Sequence, residues 1–348
     1  MEQVDLRRYE ASGILGSGAD YEVRSAVDQE TGQQVVLKRP MPQMISRRMH
    51  GGTEARTDRT LQVRQEMDQD TSLVVPILGY TDRANHDWFY GDSLGQEYRV
   101  VVEERARGIP LLVTDARARI TGVPVGAGQN LFALFPLLQP KEIKAFAIHQ
   151  QLLDLEAMFV RAGYILLDLR PQNIFYQPGS GRVTVIDCGA LSSIDGEPDT
   201  RGRPAPEIHD FYLEMLKFYA TPQQPPTQAS EYHDPYGQRP VVRFDQELQE
   251  MAANFDQFPD PAQKQALHLI ERVRSRSYTD LADFRRDLEV YLDQVIERNE
   301  GVLNLPEARA AWGEALGWLR GEHWQRYLFD PEAELADLER QLETPMQR

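Results

Sequence analysis

The stretch 168-DLRPQNIF-175 sets an acidic residue, a cation two positions on and an amide five positions on between apolar runs, and 186-IDCG-189 follows it. Such a pattern suits a rigid loop that presents polar groups inward. Asp187 closes a β-type run and is followed closely by Gly189, so its carboxylate sits at a strand end. Asn173 and Asp187 together supply oxygen ligands for a hard divalent cation such as magnesium. Asp168 can then accept a proton from an attacking hydroxyl.

Working outward toward the N-terminus, Leu15-Gly16-Ser17-Gly18 followed by Val23 reads as a glycine-rich turn between two strands. Glycines there let backbone N–H groups approach phosphate oxygens closely, although two glycines in a hairpin also arise from turn chemistry alone. Lys38 ends the apolar run Val35-Val36-Leu37. A buried ammonium in that place needs an anionic partner, because burying it unpaired is unfavourable; an edge lysine reaching solvent is the alternative.

The chain has 348 residues, with 38 Lys plus Arg against 54 Asp plus Glu, a formal net charge of −16. That balance argues against nucleic acid as a partner, since phosphate-backbone binding needs a clustered basic excess. With 41% hydrophobic and 26% charged residues the expectation is a globular chain of about two domains. The longest nearly apolar run, 131-LFALFPLL-138, is far short of the ~20 residues that cross a bilayer. No basic segment leading into an apolar one opens the sequence, so a cytoplasmic protein without a secretory signal or membrane association is expected. The single cysteine, Cys188, excludes an intramolecular disulfide and a cysteine zinc cluster, and any metal must be held by oxygen ligands.

Strand-like runs fill the first hundred residues: Ile14-Leu15, 21–27, 34–38, 73–80 and 97–103, with a turn at Gln29-Glu30-Thr31-Gly32 and a helix-like stretch within 41–70. From 140 an apolar helical face runs through Ile148, Leu152, Leu155 and Phe159 to Ala162-Gly163. Two β-type segments, 164–176 and 182–187, flank a turn at 179–181, and 210–219 reads as a buried helix. Five prolines make 221–240 an extended connector. Amphipathic helices occupy 244–300, and a tail at 305–345 carries Trp312, Trp318 and Trp324. That tail resembles one tetratricopeptide-type helical hairpin, which must pack on the main body or on a partner protein.

Taken in order, these motifs resemble the eukaryotic-type Ser/Thr protein kinase family. The family's glycine loop matches Gly16 and Gly18 with Val23, and its strand-three lysine matches Lys38. Its catalytic aspartate, lysine and asparagine match Asp168, Arg170 and Asn173, and its metal-binding aspartate and glycine match Asp187 and Gly189. Ala205-Pro206-Glu207 matches the motif closing the activation segment, which separates this pattern from small-molecule kinases.

The resemblance implies an α+β bilobal fold. A five-stranded antiparallel sheet with one helix would occupy 9–105, a mainly helical lobe 106–300, and a helical extension 301–348. It implies ATP and Mg2+ as cofactors, a protein substrate, and phosphoryl transfer to a Ser or Thr hydroxyl. Glu103 and Glu104 would lie in the segment whose backbone meets adenine, either Glu54 or Glu66 would pair with Lys38, Asp210 would lie on the buried helix that braces the catalytic loop, and Arg274 or Arg276 would pair with Glu207.

The pattern also departs from the family. Tyr21 stands where the third glycine is usual, and Asp20 would set a carboxylate near ATP phosphates, an unfavourable like-charge contact. Leu166-Leu167 replaces the His-Arg before the catalytic aspartate, removing the usual partner for an activation-loop phosphate. Arg170 keeps the positive charge of the lysine with a different shape. Cys188 is a small apolar filler or a reactive thiol beside the nucleotide. These departures leave a pseudokinase that acts as a binding platform as the alternative to an active enzyme.

Overall fold

In the computed structural model the described residues are 1–17, 20–46, 50–67, 72–110, 147–177, 182–196, 205–220, 244–255 and 261–302. Gly18, the run at 131–138, the 179–181 turn, the proline-rich connector and the tail from 303 onward lie outside them. The chain is a mixed α+β protein whose contacts divide into two units. One is Met1–Ala106 with Ile186–Leu191, and the other is Arg107–Val185 with Ser192–Arg348.

The first unit is built on a sheet of β1 (Glu2–Gln3), β2 (Tyr9–Ser17), β3 (Tyr21–Asp28), β4 (Gln34–Pro40), β5 (Ile77–Tyr80) and β6 (Val101–Glu104), ordered β1-β5-β6-β4-β3-β2. The sequence predicts five antiparallel strands from residue 9 on; the sheet has six, because β1 adds in parallel beside β5. Gly79 makes this possible. A Cβ there would stand 2.5 Å from Val4 Cγ1 and 2.9 Å from the Glu2 carbonyl, so any side chain would push the N-terminal strand away. The strand expected over 73–80 begins only at Ile77, after Pro76, which has no N–H to give to a ladder.

Turn chemistry joins β3 to β4. The Asp28 carboxylate accepts from the Glu30 N–H at 3.0 Å and the Thr31 hydroxyl at 2.8 Å, and Gly32 takes φ +73°, where a side chain is disfavoured. The helices α1 (Pro42–Ser46) and α2 (His50–Glu66) follow β4, and a short α3 (Asp87–Tyr90) interrupts the connector between β5 and β6.

Period-two alternation gives the sheet two unlike faces. Ala26, Val35, Leu37 and Val102 point to a core shared with Leu6, Tyr9, Ile45, Tyr90, Tyr98 and Val100. Arg39 lies in this face with only 1% of its side chain exposed, satisfied by Glu22 at 3.1 Å, by the Tyr98 hydroxyl at 3.1 Å and by Asp92. The register sets Val23 opposite Lys38, Lys38 opposite Val101, and Val36 opposite Glu103 on the other face.

The second unit has α4 (Ala147–Arg161), whose stripe of Ile148, Leu152, Leu155 and Phe159 is buried. It stops at Gly163, with φ +84°. A three-stranded sheet follows from β7 (Ile109–Pro110), β9 (Ile174–Gln177) and β10 (Arg182–Val185), with β9 central; β8 (Tyr164–Leu166) precedes it. The single β-type segment expected over 164–176 is therefore broken, because Asp168 turns into the left-handed region at φ +66° and Pro171 starts a 3-10 turn over Pro171–Asn173. The helices α5 (Ile208–Met215), continued by a wider turn over Leu216–Ala220, α6 (Phe244–Phe255), α7 (Pro261–Arg274) and α8 (Leu281–Val302) complete it. Stacking of Tyr212 on Phe284, 4.2 Å between ring centroids, ties α5 to α8. Among the described residues no helix is long and apolar enough to cross a membrane.

Candidate functional site

In the first unit, Lys38 reaches across 149 positions of sequence to Asp187, with Nζ 2.5 Å from Oδ1. Burial alone would lower the lysine's pKa, but the charges of Asp187 and Glu103 outweigh it and hold the ammonium above its ordinary value. The Lys38 charge in turn holds Asp187 below the usual carboxylate range against the effect of burial. Asp187 also sits at φ +59°, a left-handed conformation unusual for a non-glycine residue at the end of a strand.

Neither glutamate expected to pair with Lys38 does so. Glu54 faces Arg83 at 3.6 Å, and Glu66 accepts from Gln62 Nε2 at 3.1 Å. The reason is Tyr21. Its hydroxyl donates to the Thr53 carbonyl at 3.1 Å and is 2.8 Å from Thr57 Oγ1, so its ring fills the space between β4 and α2. Lys38 Nζ lies 4.5 Å from that ring's centroid, a cation–π distance. The α2 residue that faces the cluster is Arg56, which pairs with Asp20 and adds to the field that keeps Asp187 ionised. Asp20 is therefore neutralised rather than bare.

Val23 is opposite Gly16 on one side and Lys38 on the other, so a single strand, β3, lies between the described part of the glycine-rich turn and the lysine. Glu103 points to the same face; burial raises its pKa despite the nearby Lys38 charge. The N–H of Glu104 donates to the Pro76 carbonyl at 2.9 Å, so this donor is already engaged and does not serve an adenine ring. Cys188 is buried, and burial pushes its thiol up to about 12, which supports the filler role.

The second unit holds the other predicted residues. Asp168 and Arg170 form an ion pair, Nε to Oδ1 3.1 Å, and Asn173 Nδ2 donates to the Asp168 carbonyl at 3.0 Å. That amide orientation leaves Asn173 Oδ1 as the ligand-capable atom. The loop is gripped from behind. Glu214 accepts from the Leu169 N–H at 3.0 Å, Glu156 accepts from the Leu166 N–H at 3.1 Å, and the Tyr219 hydroxyl donates to the Leu169 carbonyl.

Asp210 lies on α5, the helix that braces this loop through Glu214, and it caps that helix by accepting from the Glu207 N–H at 2.7 Å. Glu214, one helical turn later, points inward. Glu156 and Glu214 were legible only as carboxylates interrupting apolar helical stripes, LLDLEAMF and FYLEML. Glu207 pairs with Arg276, while Arg274 pairs with Glu271 at 3.2 Å.

A magnesium ion typically takes one or two protein oxygens and completes its shell with water and phosphate. The ionised Asp187 carboxylate of the first unit and, separately, Asn173 Oδ1 of the second are each an oxygen of that kind. Among the described residues no three His, Cys, Asp or Glu side chains gather into a closed metal site. Compared with known proteins, the sequence matches no family model and no curated protein.

Proposed function

We propose that the chain is an ATP- and magnesium-dependent protein kinase, transferring a phosphoryl group to a Ser or Thr hydroxyl. The observation that carries this reading is the Lys38–Asp187 ion pair. Two residues that the resemblance marks as phosphate-binding and metal-binding groups form an ion pair, and both keep their charge under partial burial. Bound magnesium nucleotide would supply the electrophilic phosphorus and the charge neutralisation that transfer requires.

The chain's own residues have distinct parts in this scheme. Lys38 offers an ammonium to phosphate oxygens. Asp187 and Asn173 Oδ1 offer hard oxygen ligands. Asp168 accepts the proton of the attacking hydroxyl, and its pairing with Arg170 orients the carboxylate and places a cation beside it. Glu214 and Glu156 are positioning residues, acting through the backbone at Leu169 and Leu166.

A second reading, a pseudokinase that acts as a binding platform, is favoured by one observation: Tyr21 occupies the place of a helix carboxylate beside Lys38. Thermal unfolding with and without magnesium and ATP tests the nucleotide part of both. A rise in Tm that requires both additives, and that Asp187→Asn reduces, supports nucleotide binding. No shift at millimolar ATP removes it.

A further inference from the structure

The sequence sets an acidic residue, Asp20, where nucleotide phosphates would be unwelcome, and the structure sets a cation against it. Arg56 on α2 pairs with the Asp20 carboxylate, with the two side chains 40% and 30% exposed. Asp20 is otherwise fixed by its backbone, whose carbonyl accepts from the Met41 N–H at 2.8 Å just past β4. On the helix side, Thr53 and Thr57, one turn apart and flanking Arg56, are tied to Tyr21. The Arg56–Asp20 pair therefore joins two well-anchored pieces of chain.

Arg56 is also pressed against the metal-binding turn. A Cβ on Gly189 would come within 3.1 Å of Arg56 Cδ and 3.3 Å of its Cγ, so the arginine stem lies close against the backbone next to Asp187. In the first unit this puts two cations, Lys38 and Arg56, beside one carboxylate, Asp187, with Asp20 as the counter-ion of the second cation. A polyphosphate carries several negative charges and binds a guanidinium in bidentate fashion. A half-exposed ion pair is worth little on its own, so exchanging a carboxylate for phosphate oxygens is an easy replacement.

We propose that Arg56 is a phosphate-binding residue for a nucleoside triphosphate, and that Asp20 is its resident counter-ion, displaced when the polyphosphate binds. This rests on the nucleotide-binding reading above and adds to it a second cation from α2. It also assigns Asp20 a role: it weakens binding by competing for Arg56 and so discriminates against ligands with too few phosphates to displace it.

The test is calorimetric titration of the full chain with magnesium-ATP, magnesium-tripolyphosphate and adenosine. Asp20→Asn is expected to tighten ATP and tripolyphosphate about 5-fold, the scale of a half-exposed pair. Arg56→Gln, which keeps most of the aliphatic packing on Gly189, is expected to weaken both about 10-fold and to leave adenosine unchanged. In the Asp20→Asn/Arg56→Gln double variant, the Asp20 gain shrinks to less than about 2-fold. Thermal unfolding checks that each variant is folded.

If the wild type binds ATP but Asp20→Asn leaves both phosphate ligands unchanged or weaker, or Arg56→Gln lowers adenosine as much as ATP, the role of Arg56 is overturned while nucleotide binding stands. If neither the wild type nor folded Asp20→Asn binds any of the three probes, the nucleotide reading and this inference fall together.

Discussion

Lys38 Nζ lies 2.5 Å from Asp187 Oδ1, while the two α2 glutamates available to it turn elsewhere, Glu54 to Arg83 and Glu66 to Gln62. The charge partner of the lysine is thus the metal-binding candidate itself, and Tyr21 fills the helix side of the lysine.

Unequal effects of substitution follow. Lys38→Met should lower phosphoryl transfer by about 100-fold or more, the scale of losing a preorganised charge at a transition state. It should reduce stability by only about 1 kcal/mol, because Asp187 is 41% exposed and can be solvated when its partner goes. Glu54→Gln and Glu66→Gln should each leave transfer within about 3-fold. Steady-state rates for the three variants check this, and a loss in Glu54→Gln as large as in Lys38→Met would contradict it.

Much of the first unit was legible from alternation and turn residues. β3 and β4 follow from their apolar runs and from the Asp28 to Gly32 turn, where one carboxylate and one left-handed glycine fix the reversal. β1 was not, because two polar residues, Glu2 and Gln3, carry no pattern; their place depends on the missing side chain of a glycine far along the chain, Gly79. The candidate site divides in the same way. Lys38, Asp168, Asn173 and Asp187 stand out as polar residues ending or interrupting apolar runs. Choosing between Glu54 and Glu66 needs the helix rotation about its axis, which tertiary contacts such as Tyr21 on Thr53 and Thr57 decide.

The brace behind the loop of Asp168 and Asn173 has a signature in pH. Glu156 is fully buried, and burial raises its pKa well above the ordinary value, only partly offset by the Leu166 N–H. In the unfolded chain it ionises above about pH 4.5. The folded state holds its proton to higher pH, so this group's stabilising contribution is complete below that pH and is lost as pH rises toward the folded value. Glu156→Gln keeps an oxygen for Leu166 and has no proton to lose. Its Tm should exceed the wild type's at pH 7 and converge on it near pH 4, as measured by thermal unfolding across that range. A lower Tm for the variant at pH 7 would show the carboxylate to be ionised and needed as a charge.

Cys188 should be inert in the folded protein. With 6% exposure and a thiol pushed up to about 12, it presents almost no thiolate at neutral pH. Iodoacetamide at pH 7.5 should label less than about a tenth of the native protein in the time that labels the urea-unfolded chain fully. Mass spectrometry of the intact chain reads this directly, and equal labelling of the two states would instead mark Cys188 as an accessible, reactive thiol.

The central claim, that these residues transfer phosphate, is tested most directly by incubating the purified chain with magnesium, labelled ATP and a generic Ser/Thr protein substrate, beside Asp168→Ala and Asp168→Asn. Labelled phosphate on the substrate or on the chain itself, lost in both variants while their Tm stays within a few degrees of the wild type's, is the predicted result. No transfer by folded wild type, or transfer undiminished in both Asp168 variants, would contradict it.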